Sequence, residues 1–296
     1  GCDNNCAFCI VPAVRGPEIS RTFADLVDEA RAVVADGAIE ITLLGQNVNS
    51  YGRDLTVGLR REDPSAADAT LAGPVWASDE RRRPRALFAD LLREVGSIDG
   101  IRRVRYTSPH PKDIGEDVMV AMAETPTVCE HLHLPLQSGS DTVLAAMHRG
   151  YTAERYLDRL MLARQIVPDL AVTTDIIVGF PGETEADFER TLEVAAAAEY
   201  DGAYTFVFSP REGTEAAAMV DRYCDPAEVT DRYERLRQVI VRSGVRRHEA
   251  RVGRVEEVVV EGPSKRDPSV TTGRTRQNKL VHFASPNPVR LGTVAM

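Results

Sequence analysis

The chain has 296 residues, of which 43% are hydrophobic and 27% are charged, and its formal net charge is −9. A chain of this size and composition can bury one large core and a small second domain, which excludes a protein that is disordered throughout. No apolar run reaches the roughly 18 residues of a membrane helix, and no basic-then-apolar leader opens the sequence, so we expect a cytoplasmic protein with no membrane partner.

Three of the five cysteines, Cys2, Cys6 and Cys9, lie within the first nine residues in the spacing Cys-x3-Cys-x2-Cys. Such a cluster indicates a metal or catalytic site rather than a disulfide framework. Because a four-iron cluster normally takes four cysteine ligands, three thiolates would leave one iron open to a small chelating molecule. The alternatives are three unligated thiols or a structural zinc, which favours a closed set of four ligands. Cys129 and Cys224 stand alone, as ordinary buried or half-exposed cysteines do.

Apolar, β-rich stretches alternate with helical patterns along the first 210 residues, which predicts a parallel α/β fold. The predicted strands are 39–44, 103–107, 131–136, 171–178 and 203–208. The predicted helices are 23–35, 87–95, 117–123, 151–166, 188–198 and 226–247. Residues Thr184-x-x-Asp187 form a capping-box pattern before the fifth of these helices.

Short turns that contain glycine follow several of the predicted strands. They lie at Gly45 and Gln46, at 137–139, at 179–182 and at 209–213. Ligands of parallel α/β folds bind at the carboxyl ends of the strands. We therefore expect these turns to meet the cysteine loop at one rim of the fold.

The spacing Cys2-x3-Cys6-x-Phe8-Cys9 resembles the signature of radical S-adenosylmethionine (SAM) enzymes, with Phe8 as the aromatic residue before the last cysteine. Four further stretches resemble the methylthiotransferase family: LLGQNVNSYG, HLHLPLQSGSD, DIIVGFPGETE and FVFSPREGTEAA. The stretch GQNVNSYG resembles the MiaB-type branch, which modifies tRNA, and the resemblance covers nearly the whole chain.

The resemblance implies a fold and a set of ligands. The fold is a partial (β/α)6 radical SAM barrel whose first strand lies upstream of Gly1. The three cysteines would hold a [4Fe–4S] cluster whose open iron binds SAM. The implied SAM-pocket residues are Phe8, Gly45, Gln46, Gln137, Ser138, Asp175 and Gly179.

The implied activity is the conversion of isopentenyladenosine at position 37 of tRNA to its 2-methylthio derivative, by radical C–H thiolation followed by methyl transfer. Within the family the alternatives are threonylcarbamoyl-adenosine in tRNA or a ribosomal protein as substrate. The alternative of a different class is a non-catalytic RNA-binding module with a structural metal. The implied partners are tRNA and an electron donor such as flavodoxin or ferredoxin, and we expect a monomer.

Family members carry a second [4Fe–4S] cluster in an additional N-terminal domain. This sequence begins without Met, one residue before a candidate ligand, and it ends inside an apolar run. We therefore expect a fragment truncated at both ends, in which the second cluster would belong to the absent N-terminal domain.

Two histidines and one aspartate are expected in the barrel interior. His131 and His133 lie two residues apart and so share one face of a strand. No carboxylate or third histidine is spaced to complete a metal site, so we interpret them as hydrogen-bonded interior residues. Asp175 could contact the ribose or amino group of SAM, or pair with a barrel arginine.

Residues 53–85 depart from the family pattern, which has a short connector there. Their mixed charge and weak periodicity predict a solvated, flexible insertion. Arg81, Arg82 and Arg83 could contact RNA phosphate, but a plain insertion is the preferred interpretation because charge runs are usually solvated faces.

Positive charge is concentrated near the C-terminus. From Arg242 onward the chain carries 11 Lys and Arg against 5 Asp and Glu, whereas the first 241 residues carry 25 against 40. The short β-rich stretches there predict a small all-β domain over 242–296, after a core over 1–241. GPSKRD and TGRTRQNKLVHF resemble the start of a TRAM domain, a small β-barrel that binds RNA, and we expect it to be truncated.

The TRAM-like resemblance implies phosphate contacts by five cations. These are Lys265, Arg266, Arg274, Arg276 and Lys279. The alternative is a basic surface with no RNA partner.

Overall fold

The computed structural model describes residues 1–61, 65–285 and 289–296. Five parallel strands form its α/β part, and each overlaps a predicted strand. Their bounds are β1 Glu40–Leu43, β2 Arg103–Tyr106, β3 His131–His133, β4 Ala171–Val178 and β5 Gly202–Val207. The prediction of a parallel α/β fold is therefore confirmed.

The strands lie side by side in chain order. β1 pairs with β2, and β3, β4 and β5 form a second sheet in that order. A parallel bridge between Val104 of β2 and Val128, just before β3, joins the two sheets. Within the described ranges the outer edge of β1 has no neighbouring strand, and a cavity of about 770 Å³ follows that edge.

Alternation along β4 separates an apolar face from a polar face. Val172, Ile176 and Val178 are buried in the main core, which the surrounding helices share. Thr173 and Asp175 occupy the intervening positions and point the opposite way. One face of β4 therefore packs on the helices and the other carries polar side chains.

Helices connect and cover the strands. Their bounds are α1 Val11–Arg15, α2 Phe23–Ala35, α3 Arg53–Arg61, α4 Ala66–Ala69, α5 Pro74–Ser78, α6 Phe88–Gly96, α7 Glu116–Glu124, α8 Asp141–Ala146, α9 Ala153–Ile166, α10 Glu185–Ala198, α11 Glu215–Ala218 and α12 Pro226–Glu249. The predicted capping box is present at α10, with both the Thr184 and the Asp187 side chains bonded to backbone N–H groups. In the part of the chain that the structure describes, no helix has the length and apolar character needed to cross a bilayer.

The described residues of the insertion at 53–85 form short helices, where the sequence predicts a solvated, flexible loop. The insertion contributes α3, α4 and α5, although residues 62–64 lie outside the described ranges. Trp76 of α5 is fully buried in the main core, and its indole N–H donates to the Arg83 carbonyl at 3.0 Å. Burial of one large aromatic side chain supplies an apolar anchor that weak periodicity did not reveal.

The C-terminal part is an antiparallel sheet. Its strands are β6 Val258–Pro263, β7 Thr271–Thr275, β8 Leu280–Phe283 and β9 Val294–Ala295, in the spatial order β8-β7-β6-β9. Helix α12 continues through the predicted boundary between residues 241 and 242, so the change of architecture comes after Glu249. The described residues thus form a small all-β sheet, which is the coarse form of the predicted second domain.

Buried arginines of β2 fasten this sheet to the α/β part. Arg103 is fully buried and donates to the carbonyls of Glu257 and Arg274, both at 2.7 Å. Arg105 donates to the Thr275 carbonyl at 2.7 Å. Hydrogen bonds from buried cations are among the stronger ones in proteins, so the two parts are firmly joined.

Candidate active site

The cysteine loop is a compact turn with three free thiols. The Cys9 N–H donates to the Cys6 carbonyl at 3.0 Å, and the Cys2 N–H donates to the Gly16 carbonyl at 3.2 Å. Cys6 is buried, whereas Cys2 and Cys9 are partly exposed. The loop therefore presents thiols at different depths on a single short segment.

Backbone hydrogen bonds hold the loop over the carboxyl ends of the strands. The Ala7 N–H donates to the Met147 carbonyl at 3.1 Å, and the Ala7 carbonyl accepts from the Ala216 N–H at 2.8 Å. Ala7 also packs in a small apolar cluster with Phe180 and Val143, against which Phe8 is partly buried. These partners follow β3, β4 and β5, so the cysteines lie at the expected rim.

Arg149 is a residue of the candidate site that sequence reasoning missed. It is buried, and its Nη1 lies 3.3 Å from the Cys6 Sγ. Its Nε donates to the Tyr151 hydroxyl, which in turn donates to the Leu136 carbonyl at 2.8 Å. The Cys6 sulfur therefore has a buried cationic hydrogen-bond donor beside it. The spacing of the cysteines gave no signal for an arginine 143 residues away.

The donor set fits an iron–sulfur cluster better than a single ion. Among the described residues, no three His, Cys, Asp or Glu side chains are grouped so that they could hold one metal ion. A cubane cluster does not require the three sulfurs to converge on one point, because each thiolate ligates a different iron. Three free thiols on one turn, with a cation beside the buried one, suit that arrangement.

Four of the expected SAM-pocket residues follow three different strands at the rim. Gly179 follows β4 with a φ of +76°, and its N–H donates to the buried Glu183 carboxylate at 2.8 Å. Gln137 follows β3 with a φ of +68°, a left-handed conformation that is strained for a non-glycine residue. Its buried Oε1 has no hydrogen-bond partner among the described residues. Gly45 and Gln46 follow β1 and line the cavity beside that strand.

Ser138 and Asp175 lie away from the open rim. Ser138 is fully buried, and its hydroxyl contacts Thr191 of α10 at 3.3 Å. Asp175 lies four residues before Gly179, or roughly 13 Å lower along the strand. Its Oδ2 is 3.3 Å from the His133 Nε2, so the observed partner is a histidine rather than the arginine considered from sequence.

The two interior histidines share one hydroxyl group. His131 Nε2 lies 2.9 Å and His133 Nδ1 lies 3.0 Å from the Thr173 Oγ1. The interpretation of both rings as hydrogen-bonded interior residues is therefore confirmed.

A pH-dependent loss of stability is expected from His131. Burial, and then the Arg105 cation, lowers the pKa of His131 to about 3. The unfolded chain takes up this proton near pH 6.5, so stability is lost as the pH falls from 6.5 toward 3. Urea denaturation at pH 7.5 and at pH 5 gives the free energy of unfolding at each pH. The decrease between the two should be about 2 kcal/mol smaller in His131→Gln than in the parent chain. The control is the more exposed His148→Gln; equal pH dependence of His131→Gln and the parent chain would contradict the assignment.

A group of buried polar residues after β1 and β2 was also missed by sequence reasoning. Asn49 donates to the His110 carbonyl at 3.0 Å and accepts from the His110 N–H at 2.8 Å. Burial, and then the Arg149 cation, lowers the pKa of His110 to about 3, so this ring is neutral. The buried His110 Nε2 and Asn47 Oδ1 have no partners among the described residues. The asparagines of GQNVNSYG were the available signal.

Gly139 permits the close approach of two elements at the rim. A Cβ built there would lie 2.6 Å from the Arg190 carbonyl oxygen and 2.6 Å from the Thr191 Cα of α10. Backbone atoms of a helix cannot move aside cheaply, so we expect Gly139→Ala to lower the free energy of unfolding by about 2–3 kcal/mol. Gly202→Ala is the control, since its nearest neighbour would be Thr173 Cγ2 at 3.9 Å. Similar urea midpoints for the two variants would show that the rim can adjust.

The five cations expected to contact RNA differ in environment. Lys265 and Arg266 are exposed, and Arg274 pairs with Glu261 at 2.8 Å. The two others bind acidic residues of the α/β part, namely Arg276 with Glu130 and Lys279 with Asp201, each at 2.7 Å. These two ion pairs help to fasten the C-terminal sheet, which the sequence did not indicate.

Comparison with known proteins agrees with this geometry. A sequence profile described as the radical SAM superfamily matches residues 1–195. The chain is 50% identical over 291 residues to a protein of Parafrankia sp. (strain EAN1pec) named tRNA-2-methylthio-N(6)-dimethylallyladenosine synthase, covering 97% of this chain and 53% of that protein. A protein of the same name from Acidothermus cellulolyticus is 47% identical over 301 residues, covering 100% of this chain and 55% of the relative. The chain thus spans about half the length of these curated relatives.

One solved structure supports the fold. Coproporphyrinogen III oxidase (HemN) from Escherichia coli, described as a radical SAM enzyme, matches with a TM-score of 0.50 and 14% sequence identity. The match covers 93% of this chain and 64% of that chain. At this identity the likeness concerns the architecture alone.

Proposed function

The chain belongs to the radical SAM superfamily, and from that premise we propose that it carries the catalytic core of a tRNA methylthiotransferase. The proposed reaction converts isopentenyladenosine beside the anticodon to its 2-methylthio derivative. The observation that carries the proposal is the three-cysteine loop, anchored by Ala7 across the carboxyl ends of β3 and β5. The names of the relatives support the choice of substrate.

In this proposal Cys2, Cys6 and Cys9 hold a [4Fe–4S] cluster, and SAM binds beside it at the rim. When bound, the cluster and SAM would supply the radical chemistry that breaks an unreactive C–H bond. The chain's own residues hold and shield these groups. Arg149 offsets thiolate charge at Cys6, and the edge-to-face pair of Phe180 and Phe208, with ring centroids 5.6 Å apart, excludes water below the loop.

The rim turns complete the proposed SAM pocket. The absence of a side chain at Gly179 leaves room for Val229 of α12, since a Cβ there would lie 2.6 Å from the Val229 Cγ2. The Glu183 carboxylate fixes that turn through the Gly179 N–H. The unpartnered Gln137 Oε1 is available to accept a hydrogen bond from an amino group. Gly45 and Gln46 supply the side of the pocket that follows β1.

Product analysis tests the catalytic part of the proposal. Anaerobically reconstituted protein, given dithionite and SAM, should yield 5′-deoxyadenosine. Absence of that product, together with tightly bound zinc, would instead favour a non-catalytic RNA-binding module with a structural metal. The substrate is tested by mass spectrometry of tRNA nucleosides from cells with and without the full-length gene, in which loss of methylthio-isopentenyladenosine is the expected result.

The proposal extends to partners and to a second cluster. An electron donor such as flavodoxin or ferredoxin would reduce the cluster on the three cysteines, and the protein would act as a monomer in the cytoplasm. Cys129 lies just before β3 and Cys224 just before α12, so we place the family's second [4Fe–4S] cluster in a part of the protein outside this chain.

The C-terminal sheet is proposed to be a TRAM-like RNA platform. Its supporting features are the excess of Lys and Arg after residue 242 and the exposure of Lys265 and Arg266 on the turn between β6 and β7. Arg274 lies in β7 of the same sheet and is half-buried in its pair with Glu261. Phosphate contacts from such side chains give affinity without sequence choice.

Exchange of both exposed cations should weaken RNA binding. If Lys265 and Arg266 each contact one phosphate, the double change to alanine should reduce the log–log salt slope of tRNA binding by about 1.5 units. Fluorescence anisotropy over a series of salt concentrations measures this slope. The matched comparison is Arg81→Ala with Arg83→Ala, two exposed cations of the insertion. An effect confined to that pair would place the RNA contact on the insertion instead.

A further inference from the structure

A second cavity lies at the end of the fold opposite the cysteine loop. It has a volume of about 210 Å³ and is bordered by Ala171, the first residue of β4, and by Asp201, just before β5. The cysteine loop contacts segments that follow these strands, so the cavity is separate from the candidate active site. The C-terminal sheet reaches its border, because Lys279 binds Asp201 and Gln277 Nε2 donates to Asp169 at 3.0 Å.

The cavity wall is predominantly cationic. Four arginines line it against two aspartates: Arg164, Arg247, Arg251 and Arg254, with Asp169 and Asp201. Both aspartates already have partners. Asp169 accepts from Arg251 and Arg254, each at 3.0 Å, and Asp201 accepts from Lys279 and from the Val172 N–H.

Two of the arginines lack an acidic partner. The Arg164 Nη2 and the Arg247 Nε both donate to one acceptor, the Glu199 carbonyl, at 2.9 and 3.1 Å. Within the described ranges, neither guanidinium forms an ion pair with a carboxylate. The side chain of Glu199, whose carbonyl they share, binds Arg246. The Arg164 Nε is also buried without a hydrogen-bond partner there.

Two neighbouring cations with spare donors are unfavourable unless an anion lies between them. Burial, and then the neighbouring Arg247 cation, lowers the pKa of Arg164, because both disfavour the charged form of its guanidinium. The cavity is several times larger than the roughly 30 Å³ that one water occupies in the liquid. It therefore has room for a tetrahedral oxyanion.

We propose that this cavity binds a phosphate group between the guanidinium groups of Arg164 and Arg247. Arginine presents planar, paired donors that match the oxygens of phosphate. The group could be free inorganic phosphate or a phosphodiester of bound RNA, and the position beside the C-terminal sheet is compatible with both. Only the RNA alternative rests on the proposed function.

The first test uses inorganic phosphate and thermal unfolding at constant ionic strength, with chloride as the reference anion. Phosphate at ten times its dissociation constant should raise the Tm of the parent chain by about 3 °C. Arg164→Gln and Arg247→Gln should each reduce that rise to less than about 1 °C. The control is Arg155→Gln, an exposed arginine of the same helix as Arg164, which should keep the full response. Each variant is compared with its own chloride baseline, so a change in basal stability does not affect the result.

The second test uses an anticodon stem-loop RNA. If the ligand is an RNA phosphate, Arg247→Gln should reduce the log–log salt slope of binding by about one unit, and Arg155→Gln should not. Loss of the phosphate response alone assigns the site to free phosphate. Both responses unchanged in Arg164→Gln and Arg247→Gln would overturn the proposal, whether or not the protein forms 5′-deoxyadenosine.

Discussion

Replacement of Cys6 by alanine is expected to remove the iron of the reconstituted protein, from about four atoms per chain to a trace. Cys6 is the buried thiol of the loop, and the Arg149 guanidinium lies 3.3 Å from its sulfur. Two remaining thiolates cannot hold a cube with one open iron. Formation of 5′-deoxyadenosine should fall by at least about 100-fold, beyond the usual effect of altering a residue outside the ligand sphere.

Cys129→Ala is the matched control for this experiment. Burial raises the pKa of Cys129 to about 11, so its side chain remains a thiol at neutral pH and is a poor metal ligand. This variant should keep about four irons per chain. Retention of iron by Cys6→Ala, loss of iron from Cys129→Ala, or about eight irons in the parent chain would each contradict the assignment of one cluster to the N-terminal loop.

The second large effect is expected from Arg103→Met, which removes a fully buried cation without shortening the side chain much. Arg103 binds the Glu257 carboxylate at 2.9 Å and the carbonyls of Glu257 and Arg274 at 2.7 Å. Its loss leaves these acceptors without their donor, and removal of one partner of a buried pair typically costs about 3–5 kcal/mol. Urea denaturation should show a decrease of this size in the free energy of unfolding.

The adjacent Arg102→Met provides the control. Arg102 is 54% exposed and reaches Glu257 only at 3.9 Å, so its loss should change stability by less than about 0.5 kcal/mol. Protease cleavage between α12 and β6 should become faster in Arg103→Met alone, because the C-terminal sheet loses an attachment to β2. Equal stability of the two variants would show that Arg103 does not couple the two parts.

Local signals located the elements that carry the candidate site. The spacing of Cys2, Cys6 and Cys9 needs only one short turn, and the Cys9 N–H to Cys6 carbonyl bond closes that turn as the sequence allows. The strands were found because β-rich apolar stretches depend on neighbouring residues. The capping box at Thr184 is likewise a contact between residues three apart.

The sequence by itself determined the parallel α/β order, the cysteine loop and the presence of a β-rich C-terminal part, because these depend on patterns a few residues long. Only the tertiary structure decided which charges pair. Arg149 meets Cys6 across 143 residues, and Arg276 meets Glu130 across 146, so no local pattern could show that one cation contacts the cysteine loop and the other fastens two parts of the chain. The same holds for Trp76, whose burial turned an expected flexible insertion into folded structure. Ion pairing and apolar burial depend on which surfaces the completed fold brings together, and the composition of one segment does not contain that information.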